Sequence, residues 1–312
     1  MNDGHDRILP GIALMLGFCL TAPLIDVASK LAAATVPVGQ ITTARFIVQA
    51  AIMAPVCWAL GAGLRLPRAC LMALFARAAC LTGSTYCFVA AVRVMPIADA
   101  LAIAFVEPFL LLILGYLIFG DEVGPRRIAA SVVGFGGSLL VIQPSISSFG
   151  LVALYPLGTA LFFALYMLVT RSLSRRIGPL AMQLHTATLA AAICLPVMAL
   201  AEGSGIATLD PVMPQGLAWV WLVAVGVASA GAHLMMTYAL AMAPTSTLAP
   251  LHYLEIVSAA ALGYLIFSDF PDALTWAGIA VIVGAGLYII HRERLTAARA
   301  ATAAIATGGA PR

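Results

Sequence analysis

Residues 107–119 read EPFLLLILGYLIF, and residues 255–267 read EIVSAAALGYLIF. Both stretches begin with a glutamate and end with the same five residues, and the match extends without a gap over residues 91–142 and 239–290. Identical pairs elsewhere in this alignment are Pro96 with Pro244, Asp121 with Asp269 and Gly136 with Gly284. Identities at this density and at one constant offset indicate that the chain contains a duplicated segment.

The composition of the chain excludes an ordinary soluble domain. Of its 312 residues, 62% are hydrophobic and only 9% are charged, whereas soluble domains carry about 25% charged residues. The chain therefore needs the lipid bilayer as its solvent. Stretches of roughly 20 apolar residues, each long enough to cross a hydrocarbon core about 30 Å thick, recur along the sequence. We predict ten spans, at about 9–32, 38–60, 69–91, 97–119, 125–143, 150–171, 179–201, 217–240, 245–267 and 273–291.

The number of spans determines the orientation of the second copy. The length of the apolar runs and their lack of alternating polar positions favour helices over barrel strands. The spans divide five and five, and a repeat with an odd number of spans is inverted in its second copy, as in many secondary transporters. We therefore predict an all-α integral membrane protein with ten transmembrane helices in two inverted five-helix repeats, residues 9–143 and 150–291, joined by a turn at Pro144 and Ser145.

The basic residues predict that both ends of the chain face the cytoplasm, because Lys and Arg near short loops are retained on that side. With this orientation, twelve arginines lie at cytoplasmic ends of spans and only Arg93 lies in an outer loop. We predict a cytoplasmic N-terminus at residues 1–8, a cytoplasmic tail at residues 292–312 that is either disordered or a frayed helix end, and a multi-pass location in the bacterial inner membrane. The net charge of +3 is then a topology signal, and it predicts no nucleic-acid surface.

Two carboxylates lie near the predicted midplane of the bilayer, where a charge costs at least about 2.5 kcal/mol on insertion scales. Glu107 and Glu255 each lie ten residues into a span, or about 15 Å deep at the helical rise of 1.5 Å per residue. The glutamates could bind protons in turn and so couple transport to a proton gradient, they could bind polar atoms of a substrate, or they could be internal struts. Pro108 follows Glu107 directly and removes a backbone donor, which predicts a broken or kinked helix at that point.

Polar and aromatic side chains near these glutamates are the candidate substrate contacts. His252 precedes Glu255 by three residues and so shares its helix face, and it could carry a proton, bond a substrate ring, or simply bond a neighbouring carbonyl. Its counterpart in the first copy is Ala104. Tyr166, Tyr238 and Tyr253 are the aromatic residues with polar neighbours within about a turn, and we predict that they contact a flat substrate.

Asp26, Lys30, Arg45 and Arg77 are further charged residues within the predicted spans. Asp26 and Lys30 are spaced by four and would share a helix face, where they could neutralise each other. Arg45 could reach the same outer vestibule, or it could extend its charge to the membrane interface, and the second alternative is slightly favoured. Arg77 could reach the interface on the cytoplasmic side in the same way.

The sequence offers no sign of catalytic chemistry. It contains no metal-ligand spacing and no nucleophile beside a base, so we predict neither an enzyme nor a bound cofactor. The six cysteines all fall within predicted spans and form no recognisable disulfide framework.

The pattern from Pro96 through Glu107-Pro108 into Gly120-Asp121-Glu122, followed by a glycine-rich helix, resembles the EamA repeat of the drug/metabolite transporter superfamily. The second copy, from Ala243-Pro244 to Arg292-Glu293, resembles that repeat as well. The resemblance covers about residues 9–293. It implies ten helices, alternating access and a small-molecule substrate.

Within that superfamily, the segment from Ala249 to Glu255 is similar to a bacterial group that includes S-adenosylmethionine uptake carriers and riboflavin importers. The stretch from Ala98 to Pro108 looks closest to the riboflavin importers. This resemblance implies riboflavin uptake, with S-adenosylmethionine uptake or export of amino acids or related metabolites as the alternatives. We expect the site between spans 1, 3, 4, 6, 8 and 9. Proton coupling and formation of a homodimer stay open.

Overall fold

The computed structural model describes residues 8–62, 68–119, 125–173, 176–242 and 251–306. These residues form helices and short connections, and no strand occurs among them. The helices are α1 (Ile8–Ala32), α2 (Val38–Ala59), α3 (Leu71–Val92), α4 (Ile97–Ala104), α5 (Glu107–Phe119), α6 (Pro125–Phe149), α7 (Tyr155–Leu173), α8 (Pro179–Ala201), α9 (Ala218–Met242), α10 (Leu254–Phe267) and α11 (Ala273–Ala306). Short 3-10 helices precede α3 at Arg68–Cys70 and α7 at Gly150–Leu154.

Seven helical stretches in the described part of the chain are long and apolar enough to cross a membrane. One of them, Ile128–Thr170, runs for 43 residues through α6, the 3-10 helix and α7. The apolar parts of α10 and α11 are shorter, at Leu254–Phe267 and Ala273–Tyr288. The prediction of an all-α membrane protein is confirmed, whereas the count of ten spans and the cytoplasmic termini stay predictions.

The fourth predicted span is broken beside its glutamate. α4 ends at Ala104 and α5 begins at Glu107. Pro108 cannot donate a backbone hydrogen bond, which favours a new helix start at this point. The second copy has the same arrangement, because α10 begins at Leu254 and carries Glu255 in its first turn. The predicted break is confirmed, and each glutamate lies at a helix N-terminus, where the helix dipole favours negative charge.

Most helices of one repeat pack against helices of the other repeat, and the pairing is symmetric between the two. α1, the first helix of the first repeat, packs against α9, the third span of the second. The equivalent pair, in which α7 of the second repeat packs against α3 of the first, is also present. The matched helices α2 and α8, α4 and α10, and α6 and α11 pack against each other. The core of the protein therefore lies between the repeats rather than within each one.

Two boundaries differ from the sequence expectation. The turn predicted at Pro144 and Ser145 is wrong, because α6 continues to Phe149 and the Ser145 hydroxyl donates to the Val141 carbonyl at 2.8 Å within it. At the other end of the chain, α11 continues to Ala306, through most of the segment from residue 292 for which disorder or a frayed helix end was expected. Alanine is the strongest helix former and is abundant in this segment, so the helix continues. Residues 307–312 and 1–7 lie outside the described residues.

Candidate functional site

A central cavity of about 150 Å³ lies between the two repeats. Its walls come from the helices predicted to surround the site, with α2 as an addition. Both mid-span glutamates line it, although they are far apart in sequence. The titratable side chains at its surface are Asp26, Arg45, Glu107, His233, His252 and Glu255, and the aromatic ones besides the histidines are Phe18, Phe88, Phe105 and Phe163.

Glu255 is held by the histidine that precedes it. Its Oε2 lies 2.9 Å from Nε2 of His252, so the two form an ion pair whenever the ring is protonated. The imidazole also packs against Phe18, with ring centroids 5.5 Å apart, and edge-on against Phe105 at 5.3 Å. These contacts fix the orientation of the His252 ring. The spacing of three predicted only that the two residues share a helix face. Their pairing supplies the carboxylate of Glu255 with a charge-assisted hydrogen bond when the ring is protonated.

Glu107 differs from its repeat counterpart. Only 8% of the residue is exposed, yet within the described chain it has no hydrogen bond and no ion pair. It lines the cavity, where His252 is near enough to interact electrostatically. No contact of Glu107 with a described residue therefore supports the alternative that this glutamate is an internal strut. Glu107 is instead available to a proton or to a donor group of a substrate.

Arg45 reaches into the cavity, so the expectation that it extends to the membrane interface is wrong. Its side chain is buried and donates from one terminal nitrogen to the Thr85 hydroxyl at 2.8 Å. The other terminal nitrogen lies 3.1 Å from Nε2 of His233. Asp26 interacts electrostatically with this guanidinium. A buried cation is tolerated when a carboxylate and polar partners compensate for lost water, and these residues supply both.

Lys30 does not pair with Asp26, which corrects the expectation from their spacing. Its Nζ donates to Oδ2 of Asp269 at 2.6 Å and to the Met95 carbonyl at 2.9 Å. Asp26 lies about one turn away in α1 and lines the cavity, whereas the longer lysine side chain reaches the connection after α10. Lys30 therefore ties the repeats together at one end and does not line the central cavity.

A second cavity, of about 250 Å³, adjoins the first. Both are lined by Phe18, Phe163 and His233, so these three residues form the partition between them. Arg77 lines the second cavity and is 2% exposed. The expectation that Arg77 extends to the interface is therefore wrong as well.

The predicted aromatic contacts are spread over different places. Tyr166 lines the second cavity, where its hydroxyl accepts a hydrogen bond from Arg77 at 2.5 Å. Tyr253 is buried against Phe105, with ring centroids 5.4 Å apart. Neither Tyr253 nor Tyr238 lines either cavity among the described residues. Of the four predicted substrate residues, His252 lines the central cavity and Tyr166 the second.

Several residues that line the central cavity were not predicted from the sequence. Phe18 and Phe163 in its wall, and the hydroxyls of Ser84, Thr85 and Thr159, were not singled out. His233 was not among the predicted site residues either. The polar ones could have been found from the sequence, because a polar residue in an otherwise apolar span usually faces the protein interior or a cavity.

The family matched by this sequence has the same boundaries, to within one residue, as the two predicted repeats. The sequence profile of the EamA-like transporter family matches residues 9–143 and 150–292. A crystal structure of a protein with 20% sequence identity superposes with a TM-score of 0.62 and covers 91% of this chain and 97% of the other. The first match shows a tandem repeat of one family, and the second shows that the fold occurs in a solved structure.

Curated relatives with this sequence pattern have several cargoes. A riboflavin transporter of Rhizobium johnstonii is 30% identical over 66% of this chain and 66% of its own length. An S-adenosylmethionine uptake transporter of Rickettsia prowazekii is 25% identical over 94% of this chain and 97% of its own. A pseudopaline exporter of Pseudomonas aeruginosa is 28% identical over 93% of this chain and 99% of its own.

Proposed function

Since the chain belongs to the EamA-like transporter family, we propose that this multi-pass membrane protein is a secondary transporter that takes up riboflavin across the bacterial inner membrane by alternating access. Its relatives move small metabolites, and the chain is a transporter rather than an enzyme. The central cavity between the repeats is the proposed substrate site. The observation that carries this proposal is the combination of aromatic walls with convergent polar groups in one buried cavity.

Riboflavin suits this combination of surfaces. It is a flat, uncharged ring system with several hydrogen-bonding atoms, and phenylalanine side chains offer apolar faces on which a flat ring packs. Four of them line the cavity: Phe18, Phe88, Phe105 and Phe163. The His252 ring and the free carboxyl of Glu107 are placed to bond polar atoms at the rim of the ring system. A relative named as a riboflavin transporter supports this cargo.

The two glutamates are the proposed coupling or positioning groups. Glu107 has no partner among the described residues and faces the cavity, so a proton or a substrate can occupy it without breaking an internal bond. Glu255 has His252 as its partner, and a change in the charge of either one alters this bond. Such an arrangement allows proton binding and substrate binding to be coupled through this pair of carboxylates, with a proton on one and the substrate at the other.

S-adenosylmethionine is the second candidate substrate, and one observation favours it. Three carboxylates, Asp26, Glu107 and Glu255, line the central cavity. S-adenosylmethionine carries a sulfonium and an ammonium group, which carboxylates would neutralise, and its adenine is a flat ring. The relative from Rickettsia prowazekii matches almost the whole chain. Export of amino acids or related metabolites is the remaining alternative.

Uptake by purified protein in liposomes tests the proposal. Labelled riboflavin and labelled S-adenosylmethionine are offered separately, with a proton gradient imposed in either direction and with protein-free liposomes as the control. We expect saturable uptake of riboflavin that unlabelled riboflavin inhibits. Uptake of S-adenosylmethionine alone would replace the first candidate by the second. Absence of uptake of both, by protein that is helical and monodisperse, would overturn the proposal.

A further inference from the structure

No acidic side chain among the described residues compensates the charge of Arg77. The guanidinium donates to the hydroxyls of Tyr166, Thr170 and Thr186 and to the Met182 carbonyl, all of which are neutral. No carboxylate forms an ion pair with it in the part of the chain that the structure describes. Buried charges in proteins are normally paired with an opposite charge. The hydrogen bonds of Arg77 are therefore satisfied, while its positive charge has no counter-charge within the described part of the chain.

The second cavity lies beside this charge and has no acidic wall. Its described lining includes Arg77 and His233 but neither an aspartate nor a glutamate. The central cavity, across the partition of Phe18, Phe163 and His233, has three carboxylates instead. A positive charge in a cavity of low dielectric attracts anions strongly, because few water molecules screen it. The second cavity is thus suited to a negatively charged group.

Tyr166 provides the donor through which this charge acts on a ligand. Its oxygen accepts a hydrogen bond from Arg77, and the guanidinium carbon lies 4.3 Å from the ring centroid. Its own hydroxyl proton has no acceptor among the described residues. The ring is fixed by stacking on Phe163 at 5.3 Å. A hydroxyl polarised by a cation is a strong donor to an ionised oxygen.

Gln183 adds a second unsatisfied group to the same cavity. Its Nε2 donates to the Thr237 hydroxyl at 3.2 Å, whereas its Oε1 is buried without a partner. Buried side-chain amides usually satisfy both ends. Rotation of the amide by half a turn would present its NH₂ group where the oxygen now lies, and the Thr237 hydroxyl, which now donates to the His233 carbonyl at 2.7 Å, would have to turn and donate to the amide oxygen. This wall of the cavity therefore has hydrogen-bonding capacity that no described residue of the protein uses.

We propose that the second cavity is an oxyanion-binding site, in which the Tyr166 hydroxyl, polarised by Arg77, donates a hydrogen bond to a carboxylate or phosphate of the transported molecule. The inference rests on the proposed transport function, and between the two candidate substrates it favours S-adenosylmethionine, which has a carboxylate, over riboflavin, which has neither group. A molecule with a carboxylate or phosphate at one end and a cationic or uncharged ring system at the other matches the charges of the adjoining cavities. Such a molecule would occupy both cavities at once and would extend past Phe18, Phe163 and His233, which lie between them.

Two matched pairs of probes test this site by calorimetry on the full chain in detergent. S-adenosylmethionine is compared with decarboxylated S-adenosylmethionine, and flavin mononucleotide is compared with riboflavin. For at least one pair, we expect the member with the oxyanion to bind about tenfold more tightly or better. Preference in the first pair identifies a carboxylate, and preference in the second identifies a phosphate. Equal affinities within both pairs, or no binding of any probe, would overturn the proposal.

Variants that preserve the packing separate this role from a structural one. Tyr166→Phe removes the hydroxyl and keeps the ring, and Gln183→Glu places a carboxylate of the same shape in the cavity as an internal counter-ion. We expect each to reduce the preference for the oxyanion to less than threefold. Arg93→Gln removes an exposed arginine at the end of α3 and should leave the preference unchanged. An unchanged preference in both Tyr166→Phe and Gln183→Glu would contradict the site even if Arg77→Gln did not fold.

The same measurements distinguish this inference from the proposed function. If liposomes take up neither riboflavin nor S-adenosylmethionine but the preference for an oxyanion depends on Tyr166, the site stands and the proposed cargo fails. If riboflavin is taken up and no preference is found, the transport proposal stands and the oxyanion site fails.

Discussion

Lys30 in α1 and Asp269, which follows α10, form an ion pair of 2.6 Å that joins the first repeat to the second. The Lys30 ammonium group also lies 4.6 Å from the ring centroid of Phe267 and donates to the Met95 carbonyl. The two side chains are 15% and 30% exposed, so water reaches the pair. Because α1 and α10 both line the central cavity, separation of the repeats at this end requires the pair to break.

The ion pair should therefore influence transport in a non-additive way. Lys30→Met and Asp269→Asn each remove it, and a pair this exposed contributes about 1 kcal/mol or less, which corresponds to at most about a fivefold change in an equilibrium. We expect each variant to change the initial rate of uptake by about two- to fivefold, and the double variant to match the stronger single one. Initial uptake rates in liposomes measure this. Effects that simply multiply in the double variant would mean that the pair has no such role.

The two glutamates should respond differently to removal of their charge. Glu107→Gln breaks no hydrogen bond among the described residues, so we expect the variant to lose well under 1 kcal/mol of stability. Since 1 kcal/mol shifts the melting temperature of a large domain by about 2–4 °C, the melting temperature of the variant should stay within about 2 °C of the original. Glu255→Gln weakens the bond to His252 and should lower the melting temperature. Thermal unfolding of the detergent-solubilised protein makes the comparison. Equal losses of stability would contradict the difference in partners.

The same pair of variants tests proton coupling. If the carboxylates carry the coupled proton, uptake by the original protein increases as the outside becomes more acidic, and Glu107→Gln gives low uptake, at least about tenfold reduced, with no dependence on pH. Such a loss corresponds to about 1.4 kcal/mol or more. Uptake measured from about pH 5.5 to 8 with a fixed membrane potential is the test. A variant with the original rate and the original pH profile would exclude Glu107 from coupling.

Arg45 should be important for stability as well as for the site. Arg45→Gln leaves Asp26 without its nearby cation, so we expect this variant to lower the melting temperature. The double change Arg45→Gln with Asp26→Asn removes both charges, so we expect it to recover most of this loss. Melting temperatures of the two single variants and the double variant give the coupling. No recovery in the double variant would show that Arg45 stabilises the protein through Thr85 and His233 alone.

Two glycines on α6 provide a matched test of helix packing. A Cβ added at Gly134 would collide with the Phe109 ring of α5, whereas one added at Gly136 would meet nothing within 4 Å. Gly134→Ala should therefore destabilise the protein by about 1–3 kcal/mol through overpacking. Gly136→Ala should be neutral or stabilising by up to about 1 kcal/mol, because alanine is the better helix former. Thermal unfolding distinguishes the two, and an equal effect would refute the close contact.

The repeat explains why much of the fold could be predicted. The identity between residues 107–119 and 255–267 places a glutamate at the same point in both copies, and the proline after Glu107 indicates where the helix breaks. The length of an apolar stretch is enough to predict a helix in a bilayer, because a helix satisfies all backbone hydrogen bonds within one segment and the only other spanning structure is a closed barrel. The helix ends were less predictable. Neither Pro144 nor the change in composition after residue 291 ended a helix.

The directions of long side chains could not be predicted from the sequence. Arg45 and Arg77 each lie about two turns after the start of their helices, and an arginine in such a position can extend outward to the interface or inward to a cavity. Which direction wins depends on partners in other helices: Thr85 and His233 for Arg45, and Tyr166 and Thr186 for Arg77. For the same reason, Lys30 could not be assigned to Asp269, which is 239 residues away in the sequence.

The pairing of α1 with α9 has a consequence for biosynthesis. About 190 residues separate the end of α1 at Ala32 from the start of α9 at Ala218, so at roughly 5–20 residues per second the ribosome needs about 10–40 s to deliver the partner. During this interval α1, with the carboxyl of Asp26, is already in the membrane without the helix that covers it. We therefore expect nascent chains that stop before residue 218 to be preferred substrates of membrane quality-control proteases, because the first repeat alone leaves its main contact surface open.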